Sequence, residues 1–318
     1  MTADVPPIDL NGITTAPLAQ RPSKVTAAEM GAPWTPGGSL AAFLERLPGQ
    51  LAAADLKAVV AAVVAARRRG APVILGMGGH VVKVGLGLVV IDLMRRGIVT
   101  GVALNGSGIV HETELAMSGR TSEDVGPALD AGTFGMSGET SAFLQQAVAR
   151  APDGTGLGRA VGRALLAAGL PYEDRSILAA AARLGLPATV HVAIGTDILH
   201  MHPNFDPART GAMSHLDFRI LAAQVAALEG GVYVNAGSAV ILPEVFLKAV
   251  GVARNLGHRL DAFTTVNLDF NRHYRPTVNV LQRPTARGGR GIGLVGHHEI
   301  LLPLIAAAVI EAMEPRPA

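Results

Sequence analysis

Three clusters in this chain have residue types and spacings suited to chemistry. The first is Gly76-Met77-Gly78-Gly79, which follows the short apolar run PVIL. Backbone without side chains can come close to a phosphate, and a helix opening just behind it would turn its positive N-terminus toward the anion. The second is Asn105-Gly106-Ser107-Gly108, again at the end of an apolar run, with His111, Glu112 and Glu114 directly behind it. A histidine and two carboxylates beside a ligand can move protons or hold an amine. The same carboxylates would also suit the first turn of a helix, where the dipole favours them without any chemistry. The third is His200-Met201-His202. On an extended backbone the two histidines would share a face, and Asp197, Asp206 and His215 are available to complete a metal site. Pro203 and the lack of a zincin spacing weigh against that metal reading.

These clusters need elements to hold them. Apolar runs predict strands over residues 73–75, 98–104, 188–194, 231–235 and 262–268, with shorter candidates at 278–280 and 292–295. Helical patterns fall between them, over 39–47, 54–69, 158–168, 176–184, 215–228, 243–255 and 299–313. Strands alternating with helices call for an α/β fold, an open and mostly parallel sheet with helices on both faces. Each predicted strand ends in small or polar residues: GMGGH, NGSG, GTD, AGSA and NLD. One such ending is an ordinary turn. Five on one sheet edge describe a shared cleft, because ligands bind outside the carboxyl ends of parallel strands. That argument brings Asp197, Gly237, Ser238, Asn267 and Asp269 to the same edge as the two glycine loops. Residues 126–158, including GTFGMSGET, are expected to lie partly over the cleft. Residues 1–38, rich in Pro, Thr and Gly, read as an N-terminal arm, and 39–318 as one α/β domain. A formal GxGxxG occurs as GIGLVG at 291–296, but no strand–turn–helix surrounds it, and its apolar residues suit a short strand.

Composition narrows the classes. With no cysteine, a disulfide framework, a thiolate metal site and a cysteine nucleophile are excluded, and a cytoplasmic location fits. A formal net charge of +2 is too small for a nucleic-acid footprint. No apolar run reaches the roughly 20 residues that span a bilayer, and the polar, proline-bearing start does not resemble a signal peptide. The expected partner is a small molecule, with neither nucleic acid nor membrane.

Taken in order, the segments from about residue 40 to 313 resemble the deoxyhypusine synthases and their bacterial relatives. GMGGH…LMRRGIVTGVALNGSGIVHETEL is similar to that family's glycine loop, helix, strand and Glu-Glu segment. SILAAAARLGLPATVHVAIGTD looks like its helix, strand and Thr-Asp loop, VYVNAGSAVILPEVFLKA like its triple-glycine segment, TTVNLD like its Asn-Thr-Ala strand, and HHEILLPLIAAAVIEA like its closing helix. The resemblance implies a Rossmann-like fold, a homotetramer and NAD as cofactor, used in hydride chemistry on an amine. It places Gly76, Gly78, Gly79, Asn105, Gly106, Ser107, Asp197, Gly237, Ser238, Asn267 and Asp269 at cofactor-facing positions and Glu112 near an active-site glutamate. His111 or Glu112 would accept the proton, with Asp197 beside the substrate or ribose.

Two departures limit the resemblance. The family's imine-forming lysine falls at Leu242, which cannot form a Schiff base. An acidic loop after the Asn-Thr-Ala strand is replaced by basic NRHYRP, where Arg272 and Arg275 suit a carboxylate or phosphate. The expectation is therefore an NAD-dependent transferase or oxidoreductase related to deoxyhypusine synthase but not one itself. A metal-dependent hydrolase or lyase using His200 and His202, and a catalytically silent nucleotide-binding protein, stay open as alternatives.

Overall fold

The computed structural model describes residues 4–314. Residues 4–38 are almost wholly exposed and carry only two 3-10 turns, Leu18–Gln20 and Ala27–Glu29. Their last stretch docks on the first helix, where Trp34 meets Phe43 edge-on at 5.9 Å. The chain then runs through α1 (Leu40–Arg46), α2 (Leu51–Arg68), β1 (Val73–Met77), α3 (Gly79–Lys83), α4 (Gly87–Arg95) and β2 (Gly101–Asn105). It continues with α5 (Gly106–Ser118), α6 (Val125–Asp130), α7 (Gly138–Arg150), α8 (Leu157–Ala167), α9 (Ile177–Leu184) and β3 (Ala188–His191). The last part comprises α10 (Pro207–Ala226), β4 (Val232–Ala236), α11 (Ile241–Asn255), β5 (Thr264–Asp269), β6 (Arg290–Val295) and α12 (His298–Met313).

All six strands are parallel, in the order β3-β2-β1-β4-β5-β6. The two-residue alternation of a strand divides the core into two layers. Val73, Leu75 and Met77 of β1, with Val232, Val234 and Ala236 of β4, face a layer formed with α2, α4, α9 and α12. Ile74 and Tyr233 point the other way, into a layer built on Leu221, Leu242, Phe246 and Val280. There Tyr233 and Phe246 stack with ring centroids 3.7 Å apart. Burial on both faces explains why these strands read as continuous apolar runs instead of alternating ones.

Helix ends follow local rules. Ser39, Asn105, Ser137, Ser176 and Asp206 each accept a backbone N–H from the first turn of the helix they precede, and Pro207 takes the first position of α10. α10 begins at Pro207, eight residues before the expected 215, because Asp206 caps it and Pro207 suits its first turn. Residues 126–158, expected to lie partly over the cleft, hold most of α6 and all of α7. The expected strand at 278–280 is instead part of a π-helix, Pro276–Gln282. Its β-branched residues pack against α11 and the sheet, so apolar content alone misled there. The GIGLVG motif lies in β6 and its turn, as its composition implied. No helix among the described residues is long and apolar enough to cross a membrane.

Two helices lack their own complete caps and borrow them from buried carboxylates. Asp217 of α10 accepts from the backbone N–H of Gly158, in the first turn of α8, and from that of Val190 in β3, both at 2.8 Å. Glu112 of α5 accepts from the Leu178 N–H at 3.0 Å and the Ser176 hydroxyl at 2.7 Å, at the start of α9. Burial pushes each carboxyl up to about 7, against the opposing pull of those N–H and O–H donors. A carboxyl raised on folding binds its proton more tightly in the native state. The stability it adds is complete below its unfolded value and is lost as pH rises through about 7. Stability measured by urea denaturation should therefore decline between pH 5 and pH 7, by at most about 1.4 kcal/mol per pH unit for each group. Asp217→Asn should reduce that slope, and a slope unchanged in the variant would contradict this assignment.

Candidate functional site

The sheet reverses its winding between β1 and β4, and the crevice at such a reversal is where open α/β sheets bind ligands. Here the two strand ends touch through backbone alone. The N–H of Gly78 donates to the Ala236 carbonyl at 2.9 Å. A Cβ added to Gly78 would lie 2.3 Å from the carbonyl oxygen of Gly237, a backbone atom that cannot yield. Gly237 has a φ of +67°, and a side chain there would press on the ring of His298. Gly79, next along, opens α3, and a Cβ on it would meet Ser107 Oγ at 2.6 Å and His111 Cδ2 at 2.9 Å. The glycine loop, the start of α5 and His111 thus converge on one point. Gly76 lies apart from them. It is inside β1 and faces the other layer, leaving room for the hydroxyl of Tyr233, 2.5 Å from where its Cβ would be.

At the second loop Asn105 caps α5, its Oδ1 accepting from the Gly108 N–H at 3.2 Å and from the Ser107 hydroxyl at 2.9 Å. Asp197 accepts the Ala193 N–H at 2.8 Å, and its carboxylate lies directly over the Cα of Gly106. Burial raises the pKa of Asp197, opposed by that N–H and by His200. His111 is half-buried. Its Nδ1 lies 2.7 Å from the hydroxyl of Thr121, which donates to Glu114 Oε2 at 2.5 Å. Burial first, then the charge of Lys83, lowers His111 to about 4, so its imidazole is neutral at pH 7.

Glu112 does not join them. It is 1% exposed, one residue beyond His111 on the helix, and points back into the protein to cap α9. The expectation that it accepts a substrate proton is corrected on this ground: a carboxylate committed to two donors beneath the surface cannot reach a ligand.

On the other side of the crevice the predicted residues mostly hold the loops together. Asn235 of β4 donates from Nδ2 to the Ser238 carbonyl at 2.9 Å and to Asn267 Oδ1 at 2.7 Å. Ser238 Oγ accepts from the Leu242 N–H that begins α11. Asp269 is buried at the end of β5, with His273 Nε2 3.9 Å from its Oδ2. His298 is completely buried and donates from Nε2 to the Leu268 carbonyl, which also accepts the N–H of Gly237. Its Nδ1 has no partner, and the ring of His80 lies edge-on to it at 5.3 Å. Burial, followed by His298, lowers the pKa of His80. Phe270, half-exposed, borders both histidines. His80, which closes GMGGH, His298 and Phe270 belong to the crevice wall.

The third cluster folds otherwise than a metal site requires. His200 Nδ1 accepts the Gly195 N–H at 3.0 Å, while His202 Nε2 donates to the Gly135 carbonyl at 2.8 Å. The two rings thus close a loop instead of converging on an ion. Among the described residues no group of three or more His, Asp or Glu side chains is placed to hold a metal. Arg275, offered from sequence as an anion ligand, pairs with Glu244 at 3.3 Å.

A fully parallel sheet with this strand order and a glycine-lined reversal defines the doubly wound class in which dinucleotides bind. The sequence matches no family model and no curated protein. Solved structures share its fold. A candidate deoxyhypusine synthase from Entamoeba histolytica has a TM-score of 0.54 at 11% identity, covering 89% of this chain and 97% of its own. Apo ArgZ, an arginine dihydrolase from the ornithine–ammonia cycle in Cyanobacteria, has a TM-score of 0.53 at 14% identity over 82% of this chain. The ternary complex of AgrE with ornithine and NAD+ has a TM-score of 0.53 at 15% identity over 81% of it. The chain spans about a third of the length of these last two proteins, 32% and 33%. At such identities the likeness concerns the fold.

The place of Glu112 has a direct consequence. Glu112→Gln keeps an acceptor oxygen for Ser176 and Leu178 and should change stability at neutral pH by less than about 1 kcal/mol. Glu112→Ala leaves those buried donors unpaired and should cost about 1–3 kcal/mol. Equal losses in urea denaturation would contradict the capping role.

Proposed function

We propose that this chain binds NAD in the crevice between β1 and β4 and supports hydride transfer on a small amine or hydroxyl substrate. The observation that carries this reading is the contact between Gly78 and Gly237 at the reversal of winding. A side chain at either position is excluded by backbone or by His298, so the approach to the crevice is open main chain. Gly78, Gly79 and Gly237 would hold the pyrophosphate, with Asn105, Gly106 and Ser107 beside it at the start of α5. Asn267 and Ser238 would keep the far loop in place, and Asp269 would face the ribose or the substrate. When bound, the nicotinamide supplies a hydride acceptor.

The chain's own residues supply the rest. His111, neutral and next to the glycine loop, takes the proton that an amine or hydroxyl loses as its carbon is oxidised. Asp197, at the start of α5, orients the reacting group. Leu242, at the imine former's position, is fully buried beneath Gly76 and Tyr233. Transfer of a fragment through a lysine at that position is therefore no part of the reading. The resemblance and the shared fold support an enzyme related to deoxyhypusine synthase without its covalent step. A homotetramer, and one α/β domain over residues 39–318 behind an N-terminal arm, belong to the same proposal.

The cofactor can be tested before any substrate is known. NAD at a hundredfold excess over its Kd should stabilise the protein by about 2.7 kcal/mol, read as a rise in Tm. Gly237→Ala, which strains a left-handed backbone and crowds His298, should lower the Tm and remove most of that rise. Absence of any rise in the unmodified protein would end this reading.

A further inference from the structure

We infer that Thr121 and Glu114 form a hydroxyl-bridged relay that fixes His111 as a base on Nε2 and leads its proton out to a surface cavity. This inference rests on the role given to His111 above. The geometry begins with helix periodicity: Ser107, His111 and Glu114 stand at i, i+4 and i+7 of α5 and share one face. After Ser118 the chain turns sharply. Gly119 ends the helix in the left-handed conformation, with φ +70°, and Ser118 Oγ braces the turn by accepting the Arg120 N–H at 3.2 Å. Thr121 is thereby brought back against the helix it has just left. Ser122, the next residue, has φ +66°, a conformation that costs a non-glycine residue about 1 kcal/mol or more. The turn holds that strain exactly where Thr121 is aimed.

The hydrogens along this chain can be assigned. A carboxylate only accepts, so the single hydrogen of the Thr121 hydroxyl goes to Glu114 Oε2. The hydroxyl oxygen must then accept from His111, which puts the ring hydrogen on Nδ1 and leaves Nε2 with a lone pair. Cδ2 is bonded to Nε2 and is the ring atom nearest Gly79, so the free nitrogen lies on the glycine-loop side. On the other side Glu114 and Thr121 line a cavity of about 530 Å³ with Glu123, Ser137 and Glu139. His111 therefore has one nitrogen toward the crevice and the other, through Thr121, toward that cavity. Oxidation by hydride transfer releases one proton per turnover. That proton enters at Nε2, the Nδ1 hydrogen passes to the Thr121 oxygen, the Thr121 hydrogen passes to Glu114, and Glu114 releases it to the water of the cavity. One proton enters and one leaves; the ring is left with its hydrogen on Nε2, exchange with water between turnovers returns it to Nδ1, and no electrons move along the relay. Thr121 and Glu114 act only through His111 and are positioning residues.

The test reads the tautomer directly and needs no substrate. In protein labelled with 15N-histidine, long-range 1H–15N spectra should show His111 with a protonated Nδ1 and a bare Nε2 from pH 6 to pH 8. His111→Gln identifies the signal by its loss. Thr121→Ser should keep this pattern. Thr121→Val should lose it, with hydrogen appearing on Nε2, and so should Glu114→Ala, which leaves the turn intact and frees the Thr121 hydroxyl to donate to the ring. A wild-type ring protonated on Nε2, or a pattern unaltered in both Thr121→Val and Glu114→Ala, would overturn the relay. NAD binding, measured separately by calorimetry, should be unchanged in Thr121→Ser. If the spectra are as expected but NAD does not bind, the relay stands and the cofactor assignment fails.

Discussion

The rest of the structure depends on two glycine backbones meeting where the sheet reverses. β1 and β4 are neighbours, yet the chain reaches β4 only after building β2 and β3 on one side. At their carboxyl ends the ladder continues past the strands: Gly78 donates to Ala236, Gly237 to Leu268 and Gly296 to Asp269. Each handover needs the loop to stay in the plane of the sheet before its helix departs. A side chain on Gly78 would part the two strands at this point, since the atom it would strike is a carbonyl within the neighbouring loop. His298 closes the arrangement from the end of the chain. By donating to the same Leu268 carbonyl as Gly237, it ties the first turn of α12 to the end of β5, where the β4 loop is also held.

Helix α5 shows how one element divides support from chemistry. Successive residues on a helix are about 100° apart, so adjacent polar residues serve different surroundings. His111 and Glu114 look out toward the glycine loop and the cavity. Glu112 looks in and caps α9, and Thr113 is buried beside it. Asp217 does for α8 what Glu112 does for α9. Both carboxylates replace water at helix N-termini that the core has covered, where unpaired N–H groups would each cost about 1–3 kcal/mol. The polar groups with the strongest burial effects in this fold are therefore partly architectural, and perturbed acidity alone does not locate a reactive group.

The parts legible in the sequence were those fixed by short-range physics. The strands, their glycine and Asn/Asp endings, and the spans of most helices obey rules that act within a few residues. What could not be read depended on packing between distant segments. The spacing Ser107, His111, Glu114 was visible, but which side of α5 faces solvent is decided by α9. Thr121 gave no signal, because its contact arises from the turn at Gly119. His298 gave no signal either, for nothing near it in the chain reveals that Leu268 lies within reach. The π-helix at Pro276–Gln282 was mistaken in part for a strand, since β-branched residues mark burial as well as extension. His200 and His202 seemed paired by spacing, and a short 3-10 turn sends them to different partners.

Leu242 shows how a buried layer can constrain chemistry in the crevice above it. Its side chain fills the space under Gly76 beside the stacked Tyr233 and Phe246, and its backbone N–H is already held by Ser238. A lysine in this space would bring an ammonium into a layer built mainly of Leu, Val and aromatic side chains. Burial there disfavours its proton, and the Tyr233 hydroxyl beside Gly76 is itself without a partner. Regaining a covalent route would thus take more than one substitution, because Tyr233, Phe246 and Leu242 fill the layer together. With that route closed, a reaction in the crevice must rely on groups that reach it from the opposite side. On the proposed reading, the neutral His111 is the base that α5 would bring there.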